Sequence, residues 1–165
     1  MMKCHDGQKG TTLLELTVSM AIVGVIVLGV VGLIYHELKS TATAKASVTA
    51  GHEIRNAARW ISQDGMMAEG TNLIEGEQPV DQLNLAWIER YDFNNIPHSC
   101  SYYLNGTELR RDYDETVTTV ARHISGIKFS QAGNLLTVTI SCTPPWIGQH
   151  RTVEKTYRVC LRVAN

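Results

Sequence analysis

From Leu16 to Tyr35 the chain runs 20 residues without a charge, and only Thr17 and Ser19 in that run are clearly polar. Counted from Leu13, the run would span roughly 35 Å as an α-helix, enough to cross the hydrocarbon core of a bilayer. A chain of 165 residues has little material with which to enclose such a helix in a soluble core. A cleavable secretory signal also fits poorly. Its apolar region is about 7 to 15 residues long and ends in small residues, whereas here Tyr35-His36-Glu37-Leu38-Lys39 follows. Lys3 and Lys9 precede the run, opposed only by Asp6, which predicts a cytoplasmic N-terminus.

Glu15 stands near the front of this run. A carboxylate deep in a span costs about 2.5 to 3.5 kcal/mol by insertion scales, and less near an interface. The positive end of the helix dipole compensates it locally. A second source of compensation is a positive group brought by a neighbour, such as a free α-amino group made by cutting just before Thr11.

The residues Lys9-Gly10 followed by "TTLLELTVSMAIVGVIVLGV", with Glu fifth after the glycine, resemble the class III signal of type IV pilins and pseudopilins. The resemblance implies cleavage between Gly10 and Thr11 by a prepilin peptidase, methylation of the new N-terminus at Thr11, and a role for Glu15 in assembly. It further implies other pilin or pseudopilin subunits and an inner-membrane assembly platform as partners. The implied location is a single pass of the inner membrane with an exoplasmic C-terminal domain, later drawn into a filament. Two positions depart from the family pattern: Thr11 stands where Phe is usual, and Gly32 where many major pilins have a kinking proline.

Beyond the span, no proline occurs from Glu37 to Ala68, and Ala44, Val48, Ile54, Ala58 and Ile61 recur at near-helical spacing. This predicts that the helix continues, with Gly51 as its weak point. After Gly70 the pattern turns to alternation. "LNLAWIERY" reads as a strand, and Asn105-Gly106 marks a hairpin. "GIKFSQAGNLLTVTISC" reads as two strands joined near Ala132-Gly133-Asn134, Pro144-Pro145-Trp146 forces a turn, and "RTVEKTYRVCLRV" alternates again. The expected fold class is α+β: a long N-terminal helix packed on an antiparallel sheet of about four to six strands. The expected divisions are a leader at 1–10, a membrane half of the helix at 11–36, an amphipathic half at 37–69 and a β-rich domain at 70–165. The stretch "YYLNGTELRRDYDETVTTVARHISGIKFSQAGNLLTVTISC" with "TYRVCLRVAN" is similar to minor pilins and pseudopilins near the filament tip.

Chemistry is sparse. With 15 Lys and Arg against 16 Asp and Glu, the charge is nearly balanced, and no direct nucleic-acid partner is expected. Six histidines, at 5, 36, 52, 98, 123 and 150, show no ligand spacing. Asp112, Asp114 and Glu115 could present oxygens to calcium but lack the glycine and terminal glutamate of an EF-hand loop, and a solvated turn neutralised by Arg110 and Arg111 is the simpler reading. With Cys4 removed in the leader, Cys100, Cys142 and Cys160 remain. One disulfide between two of them, of open pairing, stands beside the alternative of three buried thiols. There is no triad-like setting and no phosphate loop, so neither an enzyme nor a cofactor is expected. The rival to the filament reading is a signal-anchored exoplasmic binding domain or enzyme in which Glu15 is incidental.

Overall fold

An unbroken run of helix-compatible residues without proline forms one helix, α1 (Leu13–Met67), in the computed structural model, which describes residues 13–91, 94–145 and 152–162. The chain divides into two compact units, Met1–Thr43 and Ala44–Asn165. In the first unit every described residue from Leu13 to Thr41 is exposed. The two polar residues of its apolar run turn back on the helix: Thr17 Oγ1 donates to the Leu14 carbonyl at 2.9 Å and Ser19 Oγ to the Glu15 carbonyl at 2.8 Å. Such back-bonding satisfies a hydroxyl where no water is available.

In the second unit α1 buries Ala50, Ile54, Ala57, Ala58 and Ile61, a stripe at three- and four-residue spacing. The sequence pattern placed Ala44 and Val48 on that face too. Both are exposed, Val48 at 59%: Val48 lies about 120° round the helix from Ile54, off the buried stripe, and Ala44 precedes the stripe's first residue, Ala50. Gly51 does not interrupt the helix. Gly65 packs closely on the strands: a Cβ there would lie 3.2 Å from Val159 Cγ1, so a larger residue would require a shift.

The expected single sheet is two sheets. The first contains β1 (Gly70–Thr71), β2 (Leu83–Tyr91), β3 (Asn94–Asn105), β4 (Glu108–Tyr113) and β5 (Thr116–Ala121), ordered 1-2-3-4-5 and antiparallel throughout. The second contains β6 (Ile124–Ala132), β7 (Leu135–Cys142) and β8 (Val153–Cys160), also antiparallel. The break falls at His123, whose φ of 59° takes the chain out of the first ladder. Ile124 N then bonds the Thr107 carbonyl and Thr143 N the His123 carbonyl, fixing the start of β6.

Period-two burial then builds the core. Leu83, Leu85 and Trp87 on β2, and Leu136, Val138, Ile140 and Cys142 on β7, alternate with more exposed residues. The hairpin signalled by Asn105-Gly106 forms one residue later than that pair implies. Asn105 faces Glu108, so Gly106 and Thr107 are the turn, and Gly106 (φ 64°) supplies the positive φ of a type II′ turn. The turn from β4 to β5 uses Asp114 and Glu115, with φ of 45° and 69°, an unusual pair for a type I′ position.

Because Ile61 is fully buried and Val48 points outward, their truncations separate sharply. Ile61→Ala is expected to lower stability by about 2–5 kcal/mol and Val48→Ala by no more than about 0.5 kcal/mol, measured by urea unfolding of the detergent-solubilised chain.

Candidate functional site

The sequence directs attention first to the start of α1. Glu15 lies in the first turn of the helix, where the unsatisfied amides at the N-terminus favour a carboxylate. Gly10 and Thr11, the expected cleavage and methylation positions, lie outside the described residues.

The second unit holds a polar centre that was not picked out from sequence. Asp64 is 2% exposed, the only buried charged side chain among the described residues. It projects from α1 because it lies one helical turn beyond the apolar stripe, and β3 and β4 bring its partners to it. Arg111 makes a bidentate pair, Nε to Oδ2 at 2.7 Å and a terminal nitrogen to Oδ1 at 2.9 Å. The Tyr102 hydroxyl also donates to Oδ2, as does the Cys100 thiol at 3.1 Å. Four donors on one carboxylate offset the desolvation that its burial entails. Burial, reinforced by the adjacent carboxylate, pushes the Cys100 thiol up to about 12 and raises the Tyr102 phenol, so both remain protonated donors. The hydrogen bonds to Asp64 likewise hold Arg111 firmly charged.

Arg111 extends this centre outward. Its guanidinium lies 5.1 Å from the Trp60 ring centroid and 4.6 Å from that of Tyr113. Tyr113, His98 and Trp87 form a cluster of rings with centroids 5.6–5.9 Å apart. His98 sits between two acids: Nδ1 is 2.6 Å from Asp114 Oδ2 and Nε2 is 3.0 Å from Glu89 Oε2. The hydrogen bond to Asp114 is the chief cause that raises the His98 pKa, and a backbone amide, Ser99 N, is the chief cause that lowers that of Asp114.

This geometry revises the reading of the Asp112, Asp114 and Glu115 segment. Arg111 and Tyr113 face Asp64 and His98, so Asp112 between them takes the opposite face of β4. Asp114 is engaged by His98 and Ser99. Among the described residues no group of three or more His, Cys, Asp or Glu converges as a metal site. Of the two arginines, Arg111 gives its hydrogen bonds to Asp64 while its charge still helps to lower the Asp114 pKa, and Arg110 bonds Glu108 at 2.9 Å. Among the described residues the cysteines form no disulfide. Cys100 and Cys142 are buried and Cys160 is exposed, and burial raises Cys142 to about 11. Cys142 and Cys160 do lie on neighbouring strands, but the register pairs Cys142 with Val153 and Cys160 with Leu135, at opposite ends of the ladder. That separation is far beyond the roughly 7 Å limit for a bridge.

The prokaryotic N-terminal methylation motif matches residues 6–31. Its helical part coincides with the exposed apolar start of α1. The motif supports a type IV pilin-like precursor processed by prepilin peptidase, and points to a structural subunit rather than an enzyme. With the apolar helix it is consistent with membrane anchoring. No curated protein and no solved structure matches this chain.

Removing one member of a buried pair leaves the other charge stranded. Asp64→Ala is expected to destabilise the chain by about 3–5 kcal/mol, and a double-mutant cycle with Arg111→Met should show strong coupling in denaturant unfolding. The His98 cluster predicts a pH effect with two limbs. His98, raised above its ordinary 6.5, contributes stability that is fully present below 6.5 and is lost as pH rises through its folded value. Asp114, lowered from 3.8, contributes stability present above 3.8 and lost as pH falls through its folded value. Titration of His98 by NMR, with melts of the wild type and His98→Gln across these limbs, checks both signs.

Proposed function

We propose that this chain is a minor pilin or pseudopilin subunit that is cut between Gly10 and Thr11 and joins a type IV pilus or type II secretion-like filament at its tip or initiation complex. The observation that carries the reading is a coincidence: a methylation motif over 6–31 runs into a helix whose described residues 13–41 are all exposed, and an antiparallel β-domain follows. Cleavage removes the basic leader but leaves the apolar helix, so the product stays in the inner membrane, with its β-domain outside, until it packs against other apolar helices. The assembly platform and neighbouring pilin-like subunits receive it there.

Glu15 has a defined task in this scheme. Cleavage creates an α-amino group at Thr11, and Glu15 of one subunit attracts that amine on the next. Burying the two charges together offsets the cost of each alone and selects one axial position. Among the described residues Gly24, Gly29 and Gly32 have nothing within 4 Å of the position a Cβ would take, which leaves room for a neighbouring helix.

Mass spectrometry of the membrane form should find a chain beginning at a methylated Thr11. Glu15→Ala should insert normally but fail to enter filament or tip assemblies. A mature chain beginning at Met1 or Met2, or normal assembly of the Glu15→Ala variant, overturns the reading.

A further inference from the structure

The outward face of α1 within the second unit carries charge of one sign. Lys45, His52 and Arg59 recur every seven residues, two helical turns apart, and so line the face opposite the buried stripe; Arg55 flanks them. All four are exposed. The acids of this stretch lie elsewhere: Asp64 is buried, and Glu53 stands to one side, where its carboxylate accepts from Arg122 N at 2.6 Å. The face therefore has three permanent cations and a histidine with no acid among them.

The opposite sign is gathered on another surface of the same unit. From Ala68 to Glu89 the sequence has no Lys, Arg or His. Within it, residues 72–82 run beside β6, tied there by reciprocal backbone bonds between Val80 and Phe129 and by the Glu75 carboxylate on Gly133 N. This segment exposes Glu75, Glu77 and Asp81, with Ile74 exposed among them. Lys128 pairs with Asp81 at 2.5 Å and offsets part of the charge, leaving the segment net acidic.

We propose that the cationic face of α1 in one copy docks on the 72–82 segment of a second copy. The second copy is the occupant because this chain itself supplies the complementary acidic surface. The two patches are different surfaces, so the contact is head-to-tail rather than a two-fold pairing. The proposal rests on the filament reading above and deepens it by naming a lateral contact between β-domains. Exposed ion pairs are individually weak and are screened by salt, so their part is to steer and orient subunits whose apolar helices also pack.

The test uses full-length chain in phosphatidylcholine vesicles, with a photo-cross-linking residue at Val48, which is exposed beside the cationic line. Mixing isotopically labelled and unlabelled copies identifies links between copies. Adducts should map to residues 72–82 of the second copy and diminish in high salt. Arg55→Glu with Arg59→Glu should reduce them about tenfold, and mixing that variant with Glu77→Lys/Asp81→Lys copies should restore them. Restoration by the swap also excludes misfolding as the cause of loss. Adducts that map elsewhere, or that are indifferent to charge reversal, overturn the proposal. So does a loss that the swap does not restore, accompanied by weakened binding to phosphatidylglycerol vesicles, which would assign the face to anionic lipid. If the chain keeps its leader in cells yet the Val48 adducts behave as expected, the filament reading fails and this contact stands; if it is cut and assembles but the adducts miss 72–82, this contact alone fails.

Discussion

A single carboxylate in the interior, Asp64, ties the helix to the strands in the second unit. Aliphatic contacts along Ala50, Ile54, Ala57, Ala58 and Ile61 bring α1 onto the sheets, but apolar surfaces tolerate sliding. A buried anion does not. It must meet the Arg111 fork in both oxygens and the Tyr102 and Cys100 donors at once, which only one axial and rotational setting of the helix allows. Net stability need not be what it supplies, since an apolar replacement of a whole buried pair can be neutral.

From that anchor the order of the first sheet propagates outward. Arg111 is held between the Trp60 and Tyr113 rings, Tyr113 touches His98, and His98 grips Asp114 at the β4–β5 turn. That turn places two non-glycine residues at positive φ, which is unfavourable for a glutamate in particular. The Asp114 side chain, bonded to His98 and to Ser99 N, holds the turn where its backbone alone would not favour it.

Much of this arrangement was legible from the residues. The apolar run, the continuing helix and the strand at 83–91 announce themselves by period and length. The α+β class follows from their order. Less legible was the split into two sheets, because it turns on one backbone conformation at His123, a residue with no strong turn signature. β5 was missed for a related reason: Thr116 to Ala121 alternates poorly, and the acidic pair before it looks like a solvated loop rather than a tight turn. Asp64 is hard to read from sequence, since an acid on an amphipathic helix normally faces water. The available hint was its position on the buried side of the helical wheel, and its partners lie 36 to 47 residues away in sequence. By sequence Arg111 belongs with the adjacent acids, whereas strand alternation turns it away from Asp112 and toward Asp64.

The back-bonded hydroxyls of Thr17 and Ser19 have a consequence for recognition between helices. Their protons are already committed to the Leu14 and Glu15 carbonyls. From Leu16 to Ile34 the helix surface therefore offers neighbours mainly dispersion contacts, the two hydroxyl oxygens remaining only as acceptors, and packing along it varies little as one helix slips past another. Such a surface is adhesive but nearly blind to position, like a smooth rail. Whatever fixes the stop along it must lie at its ends, where polar atoms are still available.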